Sequence, residues 1–155
     1  MKMSAGGAGN TAAPAAQTSG STPAGGGRSM ALLIEDDLDQ RVLLTRLLER
    51  SGYTVHAAAS AAEAMAVPAS GPDDGHVAGP AGPARVIVLD LRLPDLSGRD
   101  LLDQLRDRHP GCPVVVCSVL DVEDYPAADG VLPKPVTSAA LRQVLADLRA
   151  GGATP

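Results

Sequence analysis

The chain has 155 residues, a formal net charge of −5 and neither Phe nor Trp, so its core must be built mainly from aliphatic side chains. The acidic balance argues against a surface that attracts the phosphates of nucleic acid. No apolar run is long enough to cross a bilayer, which argues against a membrane protein.

Composition divides the chain into three parts. Residues 1–28 are almost entirely Ala, Gly, Ser, Thr and Pro, and they lack the apolar central region of a secretory signal. Such a segment cannot bury enough apolar surface to offset the entropy lost on ordering. We therefore expect a disordered low-complexity leader over 1–28, one folded domain over 29–151 and a short tail over 152–155.

The first predicted strand covers the apolar run 30–34. Asp39 is a candidate N-cap for a helix over about 40–50, which Gly52 would end. Helical spacing of apolar residues predicts the face that packs on the core, made of Val42, Leu43, Leu47 and Leu48.

A second strand is predicted over 53–57, followed by an Ala-rich helix that Ser60 caps and that runs to about residue 67. Residues 68–84 are rich in Pro, Gly, Ala and Asp, which predicts an extended flexible surface loop. His76, with Asp73 and Asp74, is a candidate metal ligand in this loop. A solvated loop without a metal is the favoured interpretation.

The third predicted strand covers residues 85–89, and its four consecutive apolar residues are typical of a strand buried on both faces of a parallel sheet. It stops abruptly at Asp90, after which Pro94 and Gly98 interrupt regular structure. A helix is predicted over 99–109 with three inward leucines, Leu101, Leu102 and Leu105.

The remaining elements are two strands and a helix. Residues 113–117 predict a fourth strand that leads to Ser118, and residues 131–132 predict a fifth strand before Lys134. The last helix begins after Thr137 or Ser138 and ends at Gly151. Its expected core face consists of Leu141, Val144, Leu145 and Leu148.

The two cysteines, Cys112 and Cys117, lie near opposite ends of the fourth predicted strand. Their side chains should point to different places, which argues against a disulfide between them. We expect both to be reduced thiols in a cytoplasmic protein, with Cys117 as a small core residue.

Two predicted strands end at carboxylates, the first at Glu35 and Asp36 and the third at Asp90. Strands that alternate with helices predict a parallel α/β sheet with right-handed crossovers, whose strands deliver their C-terminal residues to one edge. Acids that converge there repel one another unless a cation is bound. An all-oxygen site of this kind favours Mg²⁺.

An acid pair, a lone Asp, a hydroxyl and a Lys, in this chain order, resemble the receiver domain of two-component response regulators over roughly residues 30–151. The resemblance implies a flavodoxin-like (βα)5 fold, a doubly wound parallel sheet with strand order 2-1-3-4-5. It also implies a cis peptide bond between Lys134 and Pro135, which X–Pro sequences allow at modest cost.

The resemblance assigns chemical roles as well. Glu35 and Asp36, with Asp90 and the backbone carbonyl of Arg92, would hold Mg²⁺. Asp90 would accept a phosphoryl group as the nucleophile. Two further side chains, Ser118 and Lys134, would contact the phosphoryl oxygens.

The chain departs from the family in three places. The segment between Ser118 and Lys134 is too short for the full fourth helix of the family, so we expect a shortened or irregular helix there. Val131 occupies a position where an aromatic switch residue is common, and Tyr125, the only nearby aromatic, is not assigned that role. Val119 replaces the usual small residue and is expected to crowd the phosphoryl pocket.

The expected function is a phosphoacceptor module of a cytoplasmic two-component phosphorelay. Its partners would be a sensor histidine kinase or a histidine phosphotransfer protein, together with an unidentified downstream protein, without direct binding to nucleic acid or membrane. It would not be an enzyme beyond Mg²⁺-dependent self-phosphorylation and autodephosphorylation.

Two other functions are weighed against this one. A degenerate receiver would bind a partner without using phosphorylation. A phosphohydrolase of the haloacid-dehalogenase type also uses an Asp nucleophile after a strand, but it needs a second Asp two residues later. Arg92 stands at that position, which disfavours the hydrolase.

Overall fold

The computed structural model describes residues 28–68, 84–119 and 126–151. Most of the predicted leader, the candidate ligands Asp73, Asp74 and His76, Tyr125 and the tail lie outside these ranges. The elements of the described residues are β1 (Ser29–Ile34), α1 (Leu38–Arg50), β2 (Tyr53–Ala58), α2 (Ala61–Met65), β3 (Ala84–Asp90), α3 (Gly98–Arg108), β4 (Val114–Ser118), β5 (Gly130–Pro133) and α4 (Ser138–Arg149).

All paired strands run parallel in one sheet of order β2-β1-β3-β4-β5. The predicted α/β fold class and the strand order 2-1-3-4-5 are therefore confirmed. β1 and β3 are central neighbours, and Ile34 lies opposite Leu89. This register brings the residues that follow β1 beside Asp90, the last residue of β3.

Alternate residues of the central strands enter two separate cores, one on each face of the sheet. On one face, side chains of β1 and β3 pack against α2 and α3. On the other face, their neighbours along the same strands pack against α1 and α4. Continuous apolar runs are needed because both faces are covered, and this explains the four-residue run that precedes Asp90.

The predicted start and core face of α1 were wrong in part. The N-cap is Asp37 rather than Asp39, and the Asp37 side chain accepts a hydrogen bond of 2.9 Å from the backbone N–H of Gln40. Val42 and Leu43 are 41% and 40% exposed, whereas Leu44 is completely buried. Three apolar residues stand in a row here, but only Leu44 has leucines both three and four positions later, at Leu47 and Leu48.

Other boundaries shift by one or two residues. α2 ends at Met65, before the predicted residue 67, and Ala84 belongs to β3 rather than to the preceding loop. The predicted cap Ser60 is confirmed, as is the cis peptide bond between Lys134 and Pro135. Of the two candidate caps for α4, the side chain of Thr137 is the one that accepts from the helix.

Both cysteines are free thiols, as predicted. Burial raises the pKa of the Cys117 thiol to about 12 and that of Cys112 to about 11. Within the described ranges, no helix combines the length and the apolar character needed to span a bilayer.

The corrected face of α1 is testable with neighbouring leucines. Leu44→Ala should lower the free energy of unfolding by about 2–5 kcal/mol, because it empties a fully buried site. Leu43→Ala should lower it by about 1 kcal/mol or less, since that side chain is partly solvated. Urea denaturation followed by circular dichroism measures both, and equal losses would contradict the assigned face.

Candidate functional site

The two central strands deliver three carboxylates to one edge of the sheet. Glu35 and Asp36 follow β1, and Asp90 ends β3. Oxygen atoms of the three side chains all lie within 4.8 Å of one another. Glu35 and Asp90 are buried, whereas Asp36 is exposed. Like charges at this spacing repel, so the arrangement is stable only where cations offset the repulsion.

Lys134 provides one such cation. Its Nζ donates to Glu35 Oε2 at 2.7 Å and to Asp90 Oδ2 at 2.9 Å. The backbone N–H of Lys134 also donates to the carbonyl of Ser118 at 2.9 Å, which fixes the start of the segment after β5 against the end of β4. Lys134, the residue after β5, therefore connects Glu35 after β1 with Asp90 at the end of β3.

These contacts shift the ionisation of the buried pair. Burial raises the pKa of Glu35 and the charge on Asp90 adds to this, while Lys134 opposes it. Burial lowers the pKa of Lys134, but its bonds to Glu35 and Asp90 outweigh that effect and raise the pKa to about 12. Lys134 is therefore charged at every physiological pH.

Backbone amides orient the second oxygen of each buried acid. Asp90 Oδ1 accepts from the N–H of Arg92 at 2.9 Å, and Glu35 Oε1 accepts from the N–H of Asp37 at 3.2 Å.

Arg41 Nη1 donates to the carbonyls of Glu35 and Asp36 at 2.8 and 3.0 Å. Sequence reasoning missed Arg41, because an arginine one turn into a helix has the pattern of an ordinary surface residue.

The loop after Asp90 is compact. Arg92 and Ser97 form an antiparallel bridge at its base. Gly98 packs so closely on the loop that a Cβ atom there would lie 2.5 Å from the Cα of Leu91, which explains the glycine. The loop therefore returns on itself and holds the backbone of Arg92 next to Asp90.

The acids line an open depression of about 580 Å³. Its described lining consists of Glu35, Asp36, Asp37, Gln40, Asp90, Arg92, Val119, Lys134 and Pro135. Ser118 lies at the end of β4, completely buried and outside this lining, whereas Val119 is 56% exposed and forms part of the wall. The predicted site residues Glu35, Asp36, Asp90, Arg92 and Lys134 thus all line the depression. Ser118 does not, although Val119, the next residue in the sequence, does.

The donor set fits a hard divalent cation. Three carboxylates meet one lysine, which leaves an excess of negative charge at the edge of the sheet. Each carboxylate oxygen has two lone pairs, so Asp90 and Glu35 can bind a metal while they accept their present hydrogen bonds. Oxygen ligands of this type, with nearby room for water, are those that Mg²⁺ prefers.

The family model for the response regulator receiver domain matches residues 31–146. The chain belongs to this family. Receiver domains act in two-component signalling and are in general not enzymes in the usual sense. The match includes every residue of the acid cluster and Lys134.

Two curated relatives match this chain over part of their own length. "Response regulator MprA" of Mycobacterium ulcerans (strain Agy99) is 34% identical over 125 residues, which cover 77% of this chain and 48% of that protein. "Sensor kinase CckA" of Brucella abortus (strain 2308) is 31% identical over 115 residues, which cover 70% of this chain and 11% of that protein. This chain therefore spans half or less of the relatives it matches.

Solved receiver structures share the fold. The response regulator protein TrrA from Thermotoga maritima, solved in complex with Mg(2+)-BeF, has a TM-score of 0.61 and 19% identity, with coverage of 77% of this chain and 98% of that chain. At this identity the similarity shows the fold alone. The family match and the structural similarity both support a receiver fold for this chain.

The role of Lys134 is testable through stability. Lys134→Met keeps similar bulk but leaves Glu35 and Asp90 buried without their cation, and it should lower the free energy of unfolding at neutral pH by about 3–5 kcal/mol. Arg46→Met, which removes an exposed cation on α1, is the matched control and should change it by about 0.5 kcal/mol or less.

The same variant should show a pH dependence of a definite sign. Without Lys134 the pKa of Glu35 rises further above its ordinary value of 4.5. The folded state then takes up a proton before the unfolded state as the pH falls, so the variant regains stability toward pH 4.5. Urea denaturation across this range measures the effect, and a deficit that stays constant with pH would contradict it.

Proposed function

We propose that this receiver is a phosphoacceptor module of a two-component phosphorelay, and that Asp90 takes a phosphoryl group from a histidine residue of a sensor kinase or phosphotransfer protein. The observation that carries the proposal is the setting of Asp90. Its carboxylate ends a central strand, lies beside two further acids, and accepts bonds from Lys134 Nζ and from the N–H of Arg92.

The transfer needs positioning more than covalent chemistry from the protein. A carboxylate oxygen of Asp90 attacks phosphorus, the P–O bond forms, and the P–N bond to the donor histidine breaks with its electron pair returning to the imidazole. Lys134 is already at the acceptor and can move its hydrogen bond to a phosphoryl oxygen. Ser118 is proposed to supply a hydroxyl donor from the end of β4.

A divalent cation completes the charge balance. Glu35, Asp36, Asp90 and the backbone carbonyl of Arg92 are the groups that would hold Mg²⁺, which neutralises charge on the phosphoryl oxygens when it is bound. The acid cluster supports this assignment, and the TrrA complex contains Mg²⁺ with a beryllofluoride group in the same fold. Asp37 caps α1 and is not assigned as a ligand.

Val119 controls access in this proposal. It lines the depression and is more than half exposed, next to the buried Ser118. A valine at this wall narrows the space between the acceptor and solvent, so phosphorylation by small donors should be slow. In the extreme case, crowding by Val119 would prevent phosphorylation altogether. The chain would then be a receiver that binds its partner without phosphorylation.

The phosphodonor must cover the depression to bring its histidine to Asp90. Three apolar residues with substantial exposure lie in or next to its rim, namely Leu38, Val119 and Pro135, and Leu38 is 62% exposed. We propose that the donor protein packs on them.

The downstream partner is proposed to be a protein rather than nucleic acid, in line with the net charge of −5. The two free thiols support a cytoplasmic location.

Labelling by a small phosphodonor tests the acceptor. With acetyl phosphate and Mg²⁺, the wild-type chain should gain one phosphoryl group that behaves as an acyl phosphate, and Asp90→Asn should gain none. Asp103→Asn removes an exposed carboxylate from α3 and should label like the wild type. Intact-mass spectrometry measures the product.

A folded wild-type chain that gains no phosphoryl group would contradict the proposal as stated. Val119→Ala then separates the two remaining explanations. Labelling of Val119→Ala would show that crowding blocks a competent acceptor, whereas its failure would show a receiver that binds partners without phosphorylation.

The metal assignment is tested at Asp36. Asp36→Ala should abolish Mg²⁺-dependent labelling and, without metal, should raise the free energy of unfolding by roughly 0.5–1 kcal/mol because one repelling charge is removed. Asp39→Ala removes a nearby acid from the first turn of α1 outside the depression and should label normally. Labelling of Asp36→Ala at the wild-type Mg²⁺ concentration would contradict the assignment.

A further inference from the structure

Asp95 makes a long-range contact that the proposed chemistry does not use. Its Oδ1 accepts from the backbone N–H of Ala61 and its Oδ2 from that of Ala62, both at 3.1 Å. One carboxylate thus binds two successive amides at the start of α2 from the loop that follows β3. These two bonds lower the pKa of Asp95, so its carboxylate is charged at neutral pH.

The start of α2 also has a cap from its own residues. Ser60 Oγ accepts from the N–H of Glu63 at 3.2 Å, and Glu63 Oε2 accepts from the N–H of Ala59 at 2.7 Å. Ser60 at the N-cap and Glu63 at the third helical position are the residue types of a capping box, although Glu63 bonds the amide just before the cap rather than that of Ser60. The local cap binds the amides of Ala59 and Glu63, whereas Asp95 binds those of Ala61 and Ala62, so the contact of Asp95 adds a connection from the helix start to the loop after β3.

The loop between Asp90 and α3 connects Asp95 to the acid cluster. Asp95 lies between Arg92 and Ser97, whose antiparallel bridge closes the loop. The leucines on either side of the Pro94–Asp95 pair, Leu93 and Leu96, pack against the core on the side of α2 and α3. A loop closed at its base and attached at its tip has little freedom, so the N–H of Arg92 stays on Asp90.

We propose that Asp95 is a positioning residue, which attaches the loop of Asp90 and Arg92 to the start of α2 and thereby holds the acceptor carboxylate and the Arg92 backbone in the geometry that binds Mg²⁺. This inference rests on the proposed function for the presence of Mg²⁺, whereas the hydrogen bonds of Asp95 are observed in the structure. Groups that orient ligands from outside a metal site commonly change metal affinity without touching the metal.

The test compares two ways of weakening the same helix start. Asp95→Ala removes the loop contact, and Ser60→Ala removes a cap that belongs to α2 alone. Calorimetric titration with Mg²⁺ should give a dissociation constant roughly 10-fold higher for Asp95→Ala, at the lower end of effects from groups outside a metal site. Ser60→Ala should match the wild type, and Asp95→Asn, which keeps one acceptor oxygen, should fall between them.

A second readout needs no metal. Hydrogen exchange at the amide of Arg92 should be faster in metal-free Asp95→Ala than in the wild type, and unchanged in Ser60→Ala. In labelling with acetyl phosphate, Asp95→Ala should need more Mg²⁺ for half-maximal rate while the rate at saturating Mg²⁺ stays within about twofold. If Asp95→Ala is too unstable, Asp95→Asn gives the same comparison.

The outcomes separate this inference from the proposed function. Wild-type affinity for Mg²⁺ and wild-type exchange at Arg92 in both Asp95 variants would overturn it, as would equal effects of Ser60→Ala. If the wild type binds Mg²⁺ but is not phosphorylated, and Asp95→Ala still binds Mg²⁺ more weakly, the proposed acceptor role fails and the positioning role stands.

Discussion

The rest of the structure depends on the ion pair of Lys134 with two buried carboxylates. Glu35 and Asp90 are held together at one edge of the sheet, and their mutual repulsion is offset by a lysine from a third part of the chain. This contact forms only if β1 and β3 are neighbours and the chain after β5 turns back toward them. The parallel order β2-β1-β3-β4-β5 satisfies that requirement. The charge arrangement and the sheet topology therefore constrain each other.

A site built from repelling acids must be held in place by its surroundings. Here each of the holding contacts joins a side chain to a backbone amide or carbonyl. Arg41 fixes the carbonyls after β1, and the amide of Arg92 orients Asp90. Asp95 connects the loop beyond Asp90 to α2. Such preorganisation would lower the entropy lost if the proposed cation and phosphoryl group bind, and Lys134 would then exchange its bond to Asp90 for one to a phosphoryl oxygen.

The departures from the family concentrate on the side of β4 and β5. Val119 stands at the wall of the depression, and Val131 is only partly buried where an aromatic residue is common. The acids follow or end β1 and β3, whereas Lys134 reaches them from the end of β5, where its amide is bonded to Ser118 of β4. If the proposed phosphorylation takes place, we expect any conformational response to differ from one that depends on an aromatic residue at the position of Val131.

The sequence alone determined the strands, their order through the family resemblance, and the acids and lysine of the site, because apolar runs that stop at charged residues are local patterns. The adjacent apolar residues Val42, Leu43 and Leu44 left the inward face of α1 open to more than one assignment. The spacing to Leu47 and Leu48 favours Leu44, and its complete burial in the folded chain decides the face. The sequence also contained no signal for Asp95, whose partners lie more than thirty positions earlier in the chain. Contacts of that kind arise from the folded arrangement of the elements, and no local spacing encodes them.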